Sequence, residues 1–492
     1  MNSSAFPVEE TSIRDIQRAL QEGRATCRGL AEAYLRRIEA YDRQGSHLNA
    51  VITVNPKAME EAEALDRALA QGQVRGPLHG IPILVKDNVE TAGWVTTSGS
   101  LSLEDYVPAR DAFIVQRLRD AGALILAKTN LHEFAIWGES VSSVLGQAVN
   151  PYDLTRTPGG SSGGTGAGIA ADFAAAGIGT DTINSIRSPA SACSCVGLRP
   201  TLGLVSRGGI SPYSLDQDTA GPICRTVEDA ALILDTVAGY DPEDAETAWA
   251  TGSPLPHYAD GLDSEGLRGR RVGVLRSLFG VGSEHAEVNA VMEKALGAMR
   301  EQGATLIEIE EPFDANRITS EISVHLHTLK DDLEGYLKAI GAPYATLPAL
   351  IASGKIHPGI VENLRTATRF SRRDDAYRTR TIERLNLRRT VMKLMADHAL
   401  DALAYPHQRR LVALIGEAQL ERNGVLASAS GFPAIAVPAG FSAPTETAPL
   451  GVPIGMELMG RPWSEGTLLS IAYAFERHTR FRRAPQSTPP LK

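Results

Sequence analysis

Between Gly159 and Ala192 the chain reads GGSSGGTGAGIAADFAAAGIGTDTINSIRSPASA, a run built mainly from Gly, Ala and Ser. Side chains this small leave room only for closely packed backbone, and Thr165 to Ala176 reads as a helix pressed against its neighbours. Gly177 to Thr182 then reads as a short buried strand that ends abruptly. Pro189 suits the first turn of a following helix, where its missing N–H costs nothing. A serine at such a strand-to-helix turn, here Ser185, has its hydroxyl exposed and backbone N–H groups gathered around it. Acyl-transfer nucleophiles need that geometry. Taken alone, GGSSGG also fits a flexible loop or a phosphate cradle. No lysine follows in the GxxxxGK[ST] arrangement, so a P-loop is not supported.

The rest of the composition narrows the class. A chain of 492 residues has room for about three domains or one large α/β unit. Hydrophobic content of 43% and charged content of 22% are those of an ordinary globular protein. A net charge of −9 argues against nucleic acid as a partner. The basic cluster RFSRR at 369–373 runs into Asp374 and Asp375 and reads as a solvated helix face. Four cysteines make no disulfide scaffold, and Cys193-Ser194-Cys195 lacks metal-ligand spacing. Small buried thiols are expected there, with no metal and no organic cofactor. The start, MNSSAFPVEE, is not a signal peptide, and no apolar run approaches the roughly 18 residues of a membrane span. A cytoplasmic protein without a membrane partner is expected.

In chain order, residues 8–43 read as helices, with Thr11 or Ser12 as the first cap. Leu48 to Val54 has strand character, and Pro56 to Leu69 is helical. Ile81 to Val85 is an almost wholly apolar strand with Lys86 directly at its end. A lysine closing a buried strand is costly unless it finds a partner or loses its proton. Asp111 to Ala121 is an amphipathic helix, and the strand Ala123 to Ala127 ends the same way, in Lys128-Thr129-Asn130. This strand–helix–strand order implies an α/β sheet with a site along one edge. Val196 to Pro200 continues the core, and Ser211 to Asp229 reads as loop leading into a helix. Arg271 to Leu275, Val288 to Gln302 and Thr305 to Ile309 form another β-α-β unit. Residues 318–400 read as a charged helical cap, after which 400–406 and 435–438 are strands and 468–477 a closing helix. There is no internal repeat and no low-complexity linker, so one interrupted domain is preferred: a core of about 45–240 and 400–478 with the cap inserted.

Several of these segments together resemble the amidase signature family: LHGIPILVKDN (78–88), AKTNLHEFAIWGES (127–140), NPYDLTRTPGGSSGG (150–164) and GTDTINSIRSPAS (179–191). The similarity is strong over about 45–240 and resumes at 429–438 and 455–476. The resemblance implies an α/β fold with a large mixed β-sheet core flanked by helices on both faces. It also implies a Ser–cis-Ser–Lys triad falling on Ser185 as nucleophile, Ser161 as relay after a cis peptide bond, and Lys86 as base. For Lys86 to act so it must be neutral, which burial and a lack of nearby carboxylates would favour. The oxyanion would sit among the N–H groups of Thr182, Ile183, Asn184 and Ser185, with Ser162 hydrogen-bonded in the site and Asp181 and Arg187 bracing the turn. The family commonly has Gly-Gly before the nucleophile; here Ile183-Asn184 stand there, and Ile183 is uncomfortable if its φ is positive. Substrate contacts are expected at Gly160, Trp137 and Tyr213 and from the cap. The implied activity is hydrolysis of small-molecule amides or carbamates by a monomer or homodimer. The amidase subunit of a tRNA-dependent amidotransferase and a non-catalytic scaffold are the alternatives; retention of all three triad residues speaks against the scaffold.

Overall fold

The computed structural model describes residues 6–252 and 255–491, so the first five residues of the MNSSAFPVEE reading lie outside the described residues. Eleven strands join in one sheet. They are β1 (Val51–Val54), β2 (Pro82–Lys86), β3 (Leu124–Thr129), β4 (Ala176–Asp181), β5 (Val196–Arg199), β6 (Thr219–Cys224), β7 (Arg271–Leu275), β8 (Thr305–Ile309), β9 (Ala402–Pro406), β10 (Ala434–Phe441) and β11 (Pro453–Met459). Their spatial order is β1-β3-β2-β4-β6-β5-β10-β11-β9-β7-β8. Every residue of β2, β3, β4, β5, β6, β9 and β11 is buried, which requires cover on both faces. Exposed residues recur in β8, which forms one edge. The sheet is mixed, as the resemblance implied.

One local feature of this topology places the site. β2 lies between β3 and β4 and runs parallel to both. Their carboxyl ends therefore share one edge, where Lys86, Thr129 and Asp181 are the last strand residues. The small residues of the glycine-rich run allow the helix Gly163–Ala170 to lie directly on this region. A Cβ on Gly164 would fall 2.4 Å from the Asn130 carbonyl oxygen.

Most elements fall where the sequence places them. Ser12 caps the helix Ile13–Gln21 through a capping box with Asp15. Three expectations are corrected. The helix expected over Thr165 to Ala176 stops at Ala170, because Asp172 turns the chain with a left-handed φ of 56° and holds Arg225 at 3.2 Å. Ser211 to Asp229 is not a loop leading directly into a helix: it contains β6, antiparallel to both β4 and β5. Gly221 and Pro222 break its β pattern, yet a Cβ on Gly221 would lie 2.2 Å from the Leu198 carbonyl oxygen. β11 is a further strand, absent from the sequence reading, and it pairs with β9 and β10.

Over 318–400 the helices His325–Ala339, Leu347–Ala352, Val361–Ala367 and Asp375–Asp397 succeed one another. Leu329, Leu333 and Leu364 gather an apolar cluster of their own around Phe134, Ile136 and Tyr213. Arg372 ties this segment down, pairing with Asp332 at 2.6 Å and with Asp216, before β6, at 2.8 Å. Among the described residues no helix is long and apolar enough to cross a membrane, and no three His, Cys, Asp or Glu side chains gather as metal ligands.

Two glycines test this packing. Gly221→Ala is expected to cost about 1–3 kcal/mol through overpacking. Gly297→Ala, inside the helix Ala286–Glu301 with open space around it, is expected to gain about 0.5–1 kcal/mol. Chemical denaturation of both variants should show opposite signs; equal effects would contradict the described register of β6.

Candidate active site

The pairing of Val85 with Ile178 sets Lys86 one residue further along, beside the end of β4. Lys86 is completely buried. Its Nζ donates to Ser161 Oγ at 2.7 Å and to Thr180 Oγ1 at 2.8 Å, and among the described residues no carboxylate pairs with it. Burial lowers its pKa to about 7, although the charges of Asp181 and Asp218 pull the other way. The expected lack of nearby carboxylates is thus corrected: two stand near, and burial outweighs both. Lys128, one residue before the end of β3 and paired with Val85, behaves differently. It pairs with Asp87 at 3.2 Å and donates to Val89 O and Thr96 Oγ1, so its role is structural.

Ser161 sits on the loop before the helix Gly163–Ala170, and the Gly160–Ser161 peptide bond is cis. Ser140 Oγ donates to the Gly159 carbonyl at 2.8 Å and accepts from Gly163 N at 2.9 Å, pinning the loop at both ends. Ser140 and Trp137 themselves take left-handed φ values of 58° and 78°, sparsely populated for such residues. Ser162 bonds to β4: Thr180 N donates to its Oγ at 3.3 Å, and that Oγ lies 3.2 Å from the Thr180 carbonyl. Gly160 packs against Gly138 and Ser140 instead of lining the cavity; a Cβ there would fall 2.6 Å from Ser140 Oγ.

The turn Thr182–Ser185 follows β4. Ser162 N donates to the Ser185 carbonyl at 3.2 Å, joining the two serine loops. Ser185 Oγ makes no hydrogen bond among the described residues and faces a cavity of about 580 Å³. Ser161 and Lys86 are in contact, and Ser185 Oγ is hydrogen-bonded to neither. Neither Ile183 nor Asn184 has a positive φ, so replacing Gly-Gly costs the backbone nothing here. Thr182 Oγ1 donates to Asp218 at 2.5 Å, and burial pushes the Asp218 carboxyl up to about 6.

Bracing falls to a charge cluster with no solvent exposure. Arg187 Nη2 donates to Asp181 at 3.0 Å and to the Ile183 carbonyl at 2.7 Å, while Nη1 bonds Glu457 on β11. Arg199 on β5 donates to Asp181 at 2.8 Å. Tyr405 and His407 hold Glu457 at 2.9 Å and 2.7 Å. The two arginines hold the Asp181 carboxyl well below the usual carboxylate range against the opposing effect of burial. Two cations thus meet two anions, so each buried charge faces an opposite one.

Trp137 and Tyr213 line the cavity, joined by Ser323, His325 and Phe370 from the segment after 318. Trp137 is half exposed and donates from Nε1 to Asn363 at 2.6 Å. Burial drops His325 to about 3, so it is neutral. The sequence reading does not single out Thr180, Ser140, Arg199, Glu457 or Asp218. Thr180 lies inside the segment GTDTINSIRSPAS, so position alone could have flagged it; Asp218 stands directly before β6. Nothing marks Glu457 in PIGMELM.

Comparison with known proteins gives a consistent result. The chain matches the amidase family over residues 29–469. It is 36% identical over 472 residues to a glutamyl-tRNA(Gln) amidotransferase subunit from Moorella thermoacetica, covering 92% of this chain and 94% of that one. It is also 36% identical over 510 residues to a probable amidase of Arabidopsis thaliana, covering 98% and 93%. Native peptide amidase from Stenotrophomonas maltophilia superposes with a TM-score of 0.90 at 38% identity, over 98% of this chain and 100% of that one.

Removing Arg187 leaves Glu457 without its arginine and Asp181 with only Arg199. Arg187→Met is expected to destabilise the protein by about 3–5 kcal/mol at pH 7, read by denaturant unfolding. Asp181 is held low in the folded state, so its contribution is present above about pH 4 and fades as pH falls. The penalty in Arg187→Met should shrink in the same direction; a penalty unchanged from pH 7 to pH 3.5 would contradict this role.

Proposed function

The chain belongs to the amidase family, whose members act on C–N bonds, and on that premise we propose that it is a serine hydrolase of small-molecule amides or carbamates working through an acyl-enzyme on Ser185. The observation that carries the reading is the 2.7 Å hydrogen bond from a buried lysine without a counter-ion, Lys86, to Ser161. A lysine with a pKa of about 7 is substantially neutral at physiological pH and can take a proton.

In this mechanism Ser185 Oγ attacks the carbonyl carbon as its proton passes to Ser161 Oγ, and the Ser161 proton passes to Lys86 Nζ. The oxyanion forms beside the N–H groups of the Thr182–Ser185 turn, which have no protein acceptor among the described residues. The C–N bond then breaks as the relay returns a proton to the leaving amine. Water repeats the sequence on the acyl carbon and frees Ser185. A carbamate offers the same carbonyl to the same serine, so both substrate types fit the chemistry.

A second reading, the amidase subunit of a tRNA-dependent amidotransferase, is favoured by relatives such as that of Moorella thermoacetica. It requires further subunits. Glutaminase activity that emerges only when such subunits are supplied would select it.

Aniline release from a matched anilide and phenylcarbamate tests the leading reading. Ser185→Ala is expected to lose at least about 10³-fold in kcat. The wild-type kcat/KM should rise with pH to a plateau above about 7, since the neutral form of Lys86 is the active one. Activity surviving in Ser185→Ala, or a profile that falls from pH 6 to pH 8, would overturn it.

A further inference from the structure

The cavity before Ser185 holds one cation without a partner. Arg422 lines it, half-buried, and among the described residues its guanidinium makes no hydrogen bond, ion pair or stacking contact. Its backbone is well anchored. The neighbouring Asn423 N donates to the His407 carbonyl at 2.8 Å, and Asn423 Nδ2 bonds the carbonyls of Leu278 and Pro406. The head group lies against Gly138, where a Cβ would fall 1.7 Å from Nη1, so the space it occupies depends on that glycine. The other charged groups lining the cavity are already engaged. Arg380 donates to the carbonyls of Ser320 and Ser323, and Glu421 is held by His285 at 2.9 Å and Arg410 at 2.6 Å. Burial keeps His325 and His327 neutral. Glu139 is the nearest carboxylate in effect on Arg422, but it does not come within ion-pair distance; its oxygens take Gly138 N and Gln419 N instead.

An arginine partly withdrawn from water with none of its five donors used has met much of its desolvation cost before any ligand arrives. A carboxylate matches its fork with two parallel hydrogen bonds, which a neutral carbonyl cannot do. We propose that Arg422 is the anchor for a carboxylate on the substrate, so that the preferred substrates are anionic amides or carbamates with an apolar portion against Trp137 and Phe370. This rests on the hydrolase reading for the reaction but not for the binding.

The test is equilibrium binding in the Ser185→Ala protein, which turns nothing over. One arm compares the half-anilides of succinic, glutaric and adipic acids with neutral anilides of equal length, placing the carboxylate on the acyl part. The other compares N-acetylaminobenzoates with acetanilide, placing it on the amine. At least one acid should bind about tenfold or more tightly than its neutral counterpart. That ratio should fall to within about twofold in Arg422→Gln and be intermediate in Arg422→Lys. Gly138→Ala, which displaces the guanidinium without removing its charge, should also lower the ratio. Equal binding of acid and neutral compounds, binding of neither, or a preference that survives Arg422→Gln would overturn the proposal. Aniline release by the protein with Ser185 intact reports on the hydrolase reading separately.

Discussion

The ion cluster of Asp181, Arg187, Arg199 and Glu457 governs the rest of the site. It joins β4, β5, β11 and the first residue of the helix Arg187–Ala192 in a fully buried region. Such a cluster is poor as a source of net stability but strict in geometry, because each charge must find its partners or remain uncompensated. One of its arms reaches the Ile183 carbonyl and so fixes the turn that carries the N–H groups beside Ser185. The same cluster sets the electrostatics. Asp181 lies near Lys86, yet its charge is matched by two arginines, and burial keeps the upper hand over the lysine.

Two lysines show how local pairing divides chemistry from structure. Lys86, the last residue of β2, and Lys128, one residue before the end of β3, lie on neighbouring parallel strands; both are fully buried, and both have pKa values lowered by burial. Lys128 has Asp87 at 3.2 Å and is held as an ion pair. Lys86 has only hydroxyls within reach and can exist as a free amine. A single carboxylate separates an ion-paired lysine from one free of a counter-ion among the described residues. The segment after 318 completes the arrangement by walling the cavity, and Arg372 keeps it fastened to the loop before β6.

What could be read from sequence follows from where the signal is local. Apolar runs such as Ile81 to Val85 and Arg271 to Leu275 are strands wherever they are placed, and the serine loops carry their own pattern. β6 is hidden because its Gly221 answers to the Leu198 carbonyl across the sheet, not to any neighbour in sequence. Glu457 acquires meaning only through Arg187, 270 residues away, and Arg199 only through Asp181, on another strand. Arg422 is visible only as the one cavity cation that the fold leaves unused among the described residues, and a sequence does not show which arginines are satisfied.

In the proposed mechanism Ser185 carries the acyl group while Lys86 receives the proton through Ser161. The most direct measurement is mass spectrometry of the protein quenched by acid during turnover of p-nitrophenyl butyrate. One butyryl group per chain is expected on the peptide containing Ser185, formed faster as pH rises through about 7 and absent from Lys86→Met. A butyryl group on another residue, or rapid labelling of Ser185 in Lys86→Met, would contradict that mechanism.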